Sequence, residues 1–181
     1  YVRNPVRYAF AFAHPFRRFN WMPQTNLNLQ EITFPSRDGL TLFGRFVRSK
    51  NEATILLLHA LGQANYEMLI HAEFLARAGY GVFMIDLRAH GSSDGDTSSF
   101  GLREADDVAG AVDYLLHRLD VNGQRIGVLG ISLGAQAAAG AQAAANAPPA
   151  CDAAQPSTGD AARANISLQL AMKDQKTNPA S

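Results

Sequence analysis

A serine flanked by two glycines is the feature of this sequence best suited to chemistry. Gly130, Ser132 and Gly134 form a Gly-x-Ser-x-Gly pattern, preceded by the apolar run 126–131 and followed by an alanine-rich segment. This order predicts a buried strand that turns abruptly into a helix. Such a turn strains the serine backbone, and a Cβ at either glycine would collide with neighbouring backbone. The serine hydroxyl would then project at a helix N-terminus, where N–H groups stabilise negative charge. A glycine-rich turn without chemistry is the alternative.

The elements that must position this serine follow from hydrophobic periodicity. Apolar runs at 55–58 and 82–85 predict strands buried on both faces, and helical spacing predicts helices over 65–78 and 103–119. Alternating strands and helices indicate a parallel sheet with right-handed crossovers. Ligands bind at the carboxyl ends of such strands, and this is where His59, Asp86 and Ser132 are expected.

The N-terminal part of the chain has a different pattern. Alternation over 27–35 and 40–47, with Asp38-Gly39 between, predicts an antiparallel hairpin. Residues 1–26 interleave aromatic side chains with arginines and prolines. That mixture suits a membrane interface beside an anchor upstream of Tyr1, or a cover over one edge of the domain. We therefore expect a membrane-associated protein or, without such an anchor, a cytoplasmic one.

Composition excludes several classes of function. The 181 residues are 47% hydrophobic and 18% charged, with no net charge, so the balance of charge gives no reason to expect a nucleic-acid partner. A single cysteine, Cys151, excludes an internal disulfide and a cysteine-based metal cluster. No run is long enough to cross a bilayer. We expect neither a metal nor a cofactor.

Three segments together resemble the α/β-hydrolases, over roughly residues 27–145. They are the Gly-x-Ser-x-Gly turn, the stretch LLLHALG at 56–62 and the stretch FMIDLRAHGSS at 83–93. The nearest branch is the serine aminopeptidase-like and lysophospholipase-like one, whose members often carry an N-terminal membrane anchor. The resemblance implies an α/β-hydrolase fold, a mostly parallel sheet with an N-terminal antiparallel hairpin. This sequence departs from the family pattern at two positions, where Ala60 and Ala89 replace glycines.

The resemblance also implies roles for individual residues. Ser132 would be the nucleophile and form an acyl-enzyme, and the N–H groups of Leu133 and Leu61 would bind the oxyanion. The remaining motif residues would order the surrounding loops: His59, Gly62, Asp86, Arg88, His90, Gly130 and Gly134.

The family's catalytic Asp and His, which follow the serine in the chain, are not identifiable here. All five histidines precede Ser132: His14, His59, His71, His90 and His117. Asp152, Asp160 and Asp174 follow it, but none ends a convincing buried strand. We therefore expect a partial hydrolase domain over 27–146, truncated after the helix that follows Ser132, and an irregular or weakly ordered tail over 147–181.

Two functions follow from these observations. The first is a serine hydrolase that cleaves an ester, thioester or amide in a small-molecule or lipid acyl substrate or in a peptide. The alternative is a catalytically inactive truncated or frameshifted product, at most a binding module, because no histidine follows the serine. A dinucleotide-binding domain is disfavoured, since the loop 59–64 contains only Gly62 where three glycines are expected.

Overall fold

Three short apolar runs form the parallel centre of a five-stranded sheet. The computed structural model describes residues 5–15, 17 and 22–146. Within them the strands are β1 (Gln30–Pro35), β2 (Thr41–Val47), β3 (Thr54–Leu58), β4 (Gly81–Ile85) and β5 (Ile126–Gly130), and the helices are α1 (Pro5–Ala13), α2 (Leu69–Arg77), α3 (Glu104–Leu116) and α4 (Leu133–Asn146). The tail 147–181 lies outside the described residues.

The sheet order is β1-β2-β4-β3-β5. β3 pairs in parallel with both β4 and β5, while β2 pairs antiparallel with β1 and β4. Four strands therefore run in one direction and only β2 opposes them. This confirms the predicted α/β-hydrolase architecture with its N-terminal antiparallel hairpin.

Alternate side chains of the central strands enter two cores. Leu56 and Leu58 of β3 pack on one face with α3 and α4, and Leu57 packs on the other face with α2. Phe83 of β4 joins the first core and Met84 joins the second. Because both faces are covered by helices, residues 55–58 of β3 and 82–85 of β4 are all apolar, which explains the continuous hydrophobic runs.

Helix α2 begins after a 3₁₀ turn, Asn65–Met68, and ends in a Schellman motif. Gly79 has φ +89°, its N–H donates to the carbonyl of Ala76 and the Tyr80 N–H donates to that of Leu75. The helix predicted over 65–78 is thus present, with a tighter first turn.

Two predicted element boundaries were wrong. β1 begins at Gln30 and not at Leu27 as predicted. Leu27 and Leu29 pack against the core that contains α2, termed the α2 core, so their alternation reflects apolar contact and not strand pairing. α3 ends at Leu116, which is 37% exposed, and Leu119 beyond it is fully exposed. The helix predicted over 103–119 therefore ends before Leu119.

Helix α1 lies in the aromatic and basic segment, where no helix was predicted. Its last carbonyl, at Ala13, accepts the N–H of Ser98, and Arg17 donates to the carbonyl of Ser93. These contacts bring α1 beside the loop that follows β4. None of the described helices is long and apolar enough to span a membrane.

Candidate active site

Ser132 occupies the corner between β5 and α4. Its φ is +50°, a left-handed conformation that residues other than glycine rarely adopt, and its side chain is exposed. Helix α4 begins at the next residue, Leu133, so the first N–H groups of that helix lie beside the serine. The corner therefore presents a hydroxyl to solvent at the positive end of a helix dipole.

The flanking glycines are required by close packing on two sides. A Cβ on Gly130 would lie 2.5 Å from the carbonyl carbon of Gly134, in the first turn of α4. A Cβ on Gly134 would lie 2.6 Å from both the Cβ and the carbonyl oxygen of Leu58 in β3. The turn is thus clamped between its own helix and the neighbouring strand.

The loop that follows β3, residues 59–64 and termed the β3 loop, starts alongside this corner. The Ile131 N–H donates to the carbonyl of Leu58, 3.0 Å away, and Leu61 packs against the same apolar cluster as Leu133. The chain therefore brings the two predicted oxyanion donors to adjoining segments at one end of the sheet.

Three consecutive N–H groups of the β3 loop differ in their hydrogen bonding. The Ala60 N–H donates to Glu67 Oε2 at 2.8 Å, and the Gly62 N–H donates to His90 Nε2 at 3.0 Å. Between them, the Leu61 N–H has no protein acceptor within the described part of the chain, and the Leu133 N–H, at the first position of a helix, also lacks one.

His59 and His90 hold the two adjoining loops together. His59 Nδ1 donates to the carbonyl of Ala60 (2.7 Å) and its Nε2 accepts the N–H of Leu87 (3.0 Å). His90 uses its nitrogens in the same way from the opposite loop: its Nδ1 donates to the Arg88 carbonyl and its Nε2 accepts the N–H of Gly62. Each ring is therefore neutral and protonated on Nδ1. Burial lowers the pKa of both imidazoles, that of His59 to about 3.

Asp86 organises the start of the loop after β4, residues 86–100 and termed the β4 loop. Its fully buried carboxylate accepts the N–H groups of Asn65 and Ser92 at 2.6 and 2.9 Å. Burial raises the pKa of this carboxyl, while these N–H groups oppose that rise. Gly91, with φ +48°, passes so close that a Cβ would overlap the carboxylate.

Arg88 ties the β4 loop to two other elements. Its guanidinium donates to Asp107 on α3 at 2.7 Å and to Asp38 in the hairpin turn at 2.8 Å. The Arg88 side chain and Asp107 are almost entirely buried. The ion pair lowers the pKa of Asp38 to about 2, whereas burial raises that of Asp107 to about 6 against the effect of Arg88.

None of the five histidines hydrogen-bonds Ser132 in the described structure. Both ring nitrogens of His59 and of His90 are occupied by backbone groups, as given above. His14 and His117 each contact a carbonyl of their own helix, and the buried Nδ1 of His71 has no partner among the described residues. A general base for Ser132 is therefore not contributed by the histidines in their present contacts.

Sequence reasoning missed three side chains that build this site: Asn65, Glu67 and Asp107. Asn65 bridges the Asp86 carboxylate to Arg45, while Glu67 and Asp107 accept backbone N–H groups of the β3 and β4 loops. Each lies near the start of a helical segment. Asn65 and Asp107 contact residues about 20 positions away in the sequence, and Glu67 contacts the loop that directly precedes it. Their residue types alone carry no signal of these contacts.

No group of three or more His, Cys, Asp or Glu side chains suited to a metal ion occurs among the described residues.

Comparison with known proteins identifies a family to which the sequence is similar. The sequence model of the X-Pro dipeptidyl-peptidase (S15) family matches residues 16–172. Among solved structures, an esterase of Pyrococcus furiosus is similar, with a TM-score of 0.63 and 27% identity over 71% of this chain and 52% of that one.

Curated relatives extend beyond the length of this chain. The uncharacterized protein YfhR of Salmonella typhimurium is 37% identical over 118 residues, which are 61% of this chain and 39% of that protein. The α/β-hydrolase domain-containing protein WAV2 of Arabidopsis thaliana is 31% identical over 118 residues, 63% of this chain and 38% of that protein. The chain thus spans about two-fifths of the relatives it matches.

Proposed function

Because this chain belongs to the X-Pro dipeptidyl-peptidase (S15) family and has the α/β-hydrolase fold, we propose that it carries the nucleophile of a serine hydrolase. The single observation that supports this most is the exposed Ser132 at φ +50°, between two glycines that admit no Cβ. A strained, exposed serine on a rigid corner is the arrangement that nucleophilic acyl transfer requires.

The reaction proceeds in two halves. Ser132 Oγ attacks the carbonyl carbon of an ester, thioester or amide and gives up its proton to a general base. The carbonyl oxygen becomes an oxyanion held by the Leu61 and Leu133 N–H groups. Collapse expels the leaving group, which takes the proton, and a water molecule then hydrolyses the acyl-enzyme by the same route.

The base and its acidic partner come from outside the described residues. This part of the proposal is supported by the ring contacts of His59 and His90, since neither nitrogen of either ring is available to Ser132. A base and the group that orients it supply several orders of magnitude in rate. A chain without that base should therefore turn over substrate several orders of magnitude more slowly than one that carries it.

The test is hydrolysis by the full-length protein of two substrates: the ester p-nitrophenyl butyrate and the amide in an X-Pro p-nitroanilide. We expect turnover of at least one substrate and its loss in Ser132→Ala. Activity that survives this substitution would refute the proposal. A folded protein inactive on both substrates would favour the alternative, a binding module without catalysis.

The membrane contact proposed for the N-terminal segment rests on exposed apolar side chains. Val6 and Phe10 of α1 are 73% and 62% exposed. Flotation of the protein with anionic lipid vesicles tests this contact, and a Phe10→Ser variant that floats equally well would argue against it.

A further inference from the structure

We propose that Glu67 is a positioning residue for the reaction, because its carboxylate holds the β3 loop so that the Leu61 N–H stays free for the oxyanion. This inference deepens the proposed function and rests on it. It assigns a role to a side chain that carries no motif in the sequence.

The pattern of the three consecutive N–H groups supports the inference. The Ala60 N–H is taken by Glu67 and the Gly62 N–H by His90, at 2.8 and 3.0 Å. The Gln63 N–H turns back to the Ala60 carbonyl at 3.2 Å. The N–H of Leu61 then has no acceptor in the part of the chain that the structure describes, and its peptide plane has little freedom to rotate.

The backbone that carries Glu67 is fixed by buried neighbours. It lies in the 3₁₀ turn directly after the loop, between the fully buried Asn65 and Met68. Asn65 is bound through its backbone and its side chain to Asp86, and Met68 packs in the α2 core. The carboxylate therefore reaches back to the loop from a fixed backbone, which is how a supporting residue holds a reactive group in place.

The negative charge of Glu67 is not what the reaction needs. A carboxylate one peptide unit from the oxyanion donor repels developing negative charge, whereas its oxygen atom as an acceptor is useful. A glutamine keeps a carbonyl oxygen at the same reach and removes the charge. Glu67→Gln should therefore preserve catalysis and Glu67→Ala should impair it.

The experiment compares these two variants in the full-length protein, with Glu73→Ala as the matched control. Glu73 lies further along the same helical segment, but its carboxylate contacts Thr25 and Arg77 instead of the β3 loop. Three quantities are measured: kcat and KM with p-nitrophenyl butyrate, the rate of labelling by a fluorophosphonate, and hydrogen exchange of a peptide covering 59–68.

We expect Glu67→Ala to lower kcat and the labelling rate at least about tenfold with KM nearly unchanged, since loss of an oxyanion donor costs ~10²–10³ in kcat. Exchange in 59–68 should rise. Glu67→Gln and Glu73→Ala should retain kcat within about threefold. The Gln variant also decides the case if the Ala variant does not fold.

Two results would overturn the inference while leaving the proposed function intact: an unchanged kcat in Glu67→Ala, or a folded Glu67→Gln as impaired as Glu67→Ala. A wild-type protein that is not labelled and hydrolyses nothing would overturn both proposals together.

Discussion

At the scale of single residues, the site depends on the strained backbone of Ser132 and on the close packing that its flanking glycines allow. Ser132 keeps a left-handed conformation because Gly130 and Gly134 let β5, α4 and β3 approach at distances that no Cβ allows. Strain of this kind costs ~1–3 kcal/mol and persists only where surrounding contacts enforce it. The geometry of the proposed nucleophile is therefore maintained by Gly130 and Gly134, which have no side chain to take part in the chemistry.

Gly134→Ala should destabilise the protein by about 2 kcal/mol or more, because the new methyl group would lie 2.6 Å from Leu58 backbone. Equilibrium unfolding in urea measures this. Gly140→Ala in the same helix is the control, since its Cβ would lie 3.2 Å from the Ala105 Cβ and helix propensity favours alanine. Equal stability of both variants would contradict the packing argument.

The histidine contacts predict how stability depends on pH. The pKa of His59 in the folded state is about 3, below its unfolded value of about 6.5. The neutral ring therefore stabilises the fold fully above about pH 6.5, and this contribution is lost progressively as pH falls toward about 3. The lowered pKa of His90 acts in the same direction.

The free energy of unfolding, measured between pH 7.5 and pH 4, should fall less steeply in His59→Gln than in wild type. Identical slopes would show that the His59 ring does not resist protonation in the folded state.

At the scale of elements, the two loops at the carboxyl ends of β3 and β4 stabilise each other. His59 of the β3 loop accepts a hydrogen bond from the N–H of Leu87, and His90 of the β4 loop accepts one from the N–H of Gly62. Arg88 then fastens the β4 loop to α3 and to the hairpin turn. Separate elements are thus joined into one support beneath the proposed oxyanion site.

Arg88→Ala should cost about 3–5 kcal/mol of stability, because it leaves the carboxylate of Asp107 buried without its cation. Thermal unfolding at neutral pH would measure the loss. The double variant Arg88→Ala with Asp107→Asn should recover part of it, since no buried charge then remains. Failure of the second substitution to recover any stability would contradict a buried-charge origin.

The central strands and the serine corner could be predicted from the sequence, since runs such as 55–58 are apolar at every position only when helices cover both faces. The start of β1 could not, because alternation at Leu27 and Leu29 marks packing against a core whether or not a ladder forms. Glu67 was missed for a related reason. Its partner is a backbone N–H, and backbone groups leave no trace in the residue sequence.

At the scale of the whole molecule, β5 pairs with β3 alone within the described residues. A strand with one partner presents unpaired N–H and C=O groups and an apolar edge, which favours aggregation. The chain 1–181 should therefore form larger species in size-exclusion chromatography at micromolar concentration, whereas a protein in which a further strand pairs with β5 should not. A soluble monomer of 1–181 with a sharp cooperative melt would contradict this prediction.

We propose that Ser132 is an activated nucleophile beside the N–H groups of Leu61 and Leu133, neither of which has an acceptor among the described residues. Mass spectrometry after treatment of the full-length protein with a fluorophosphonate tests it most directly. Attack of the serine oxygen on phosphorus expels fluoride and leaves a stable adduct on the peptide that contains Ser132. We predict one adduct per chain in the wild type and none in a folded Ser132→Ala variant. A folded wild type that stays unmodified, or a Ser132→Ala variant that is still modified, would show that Ser132 is not an activated nucleophile.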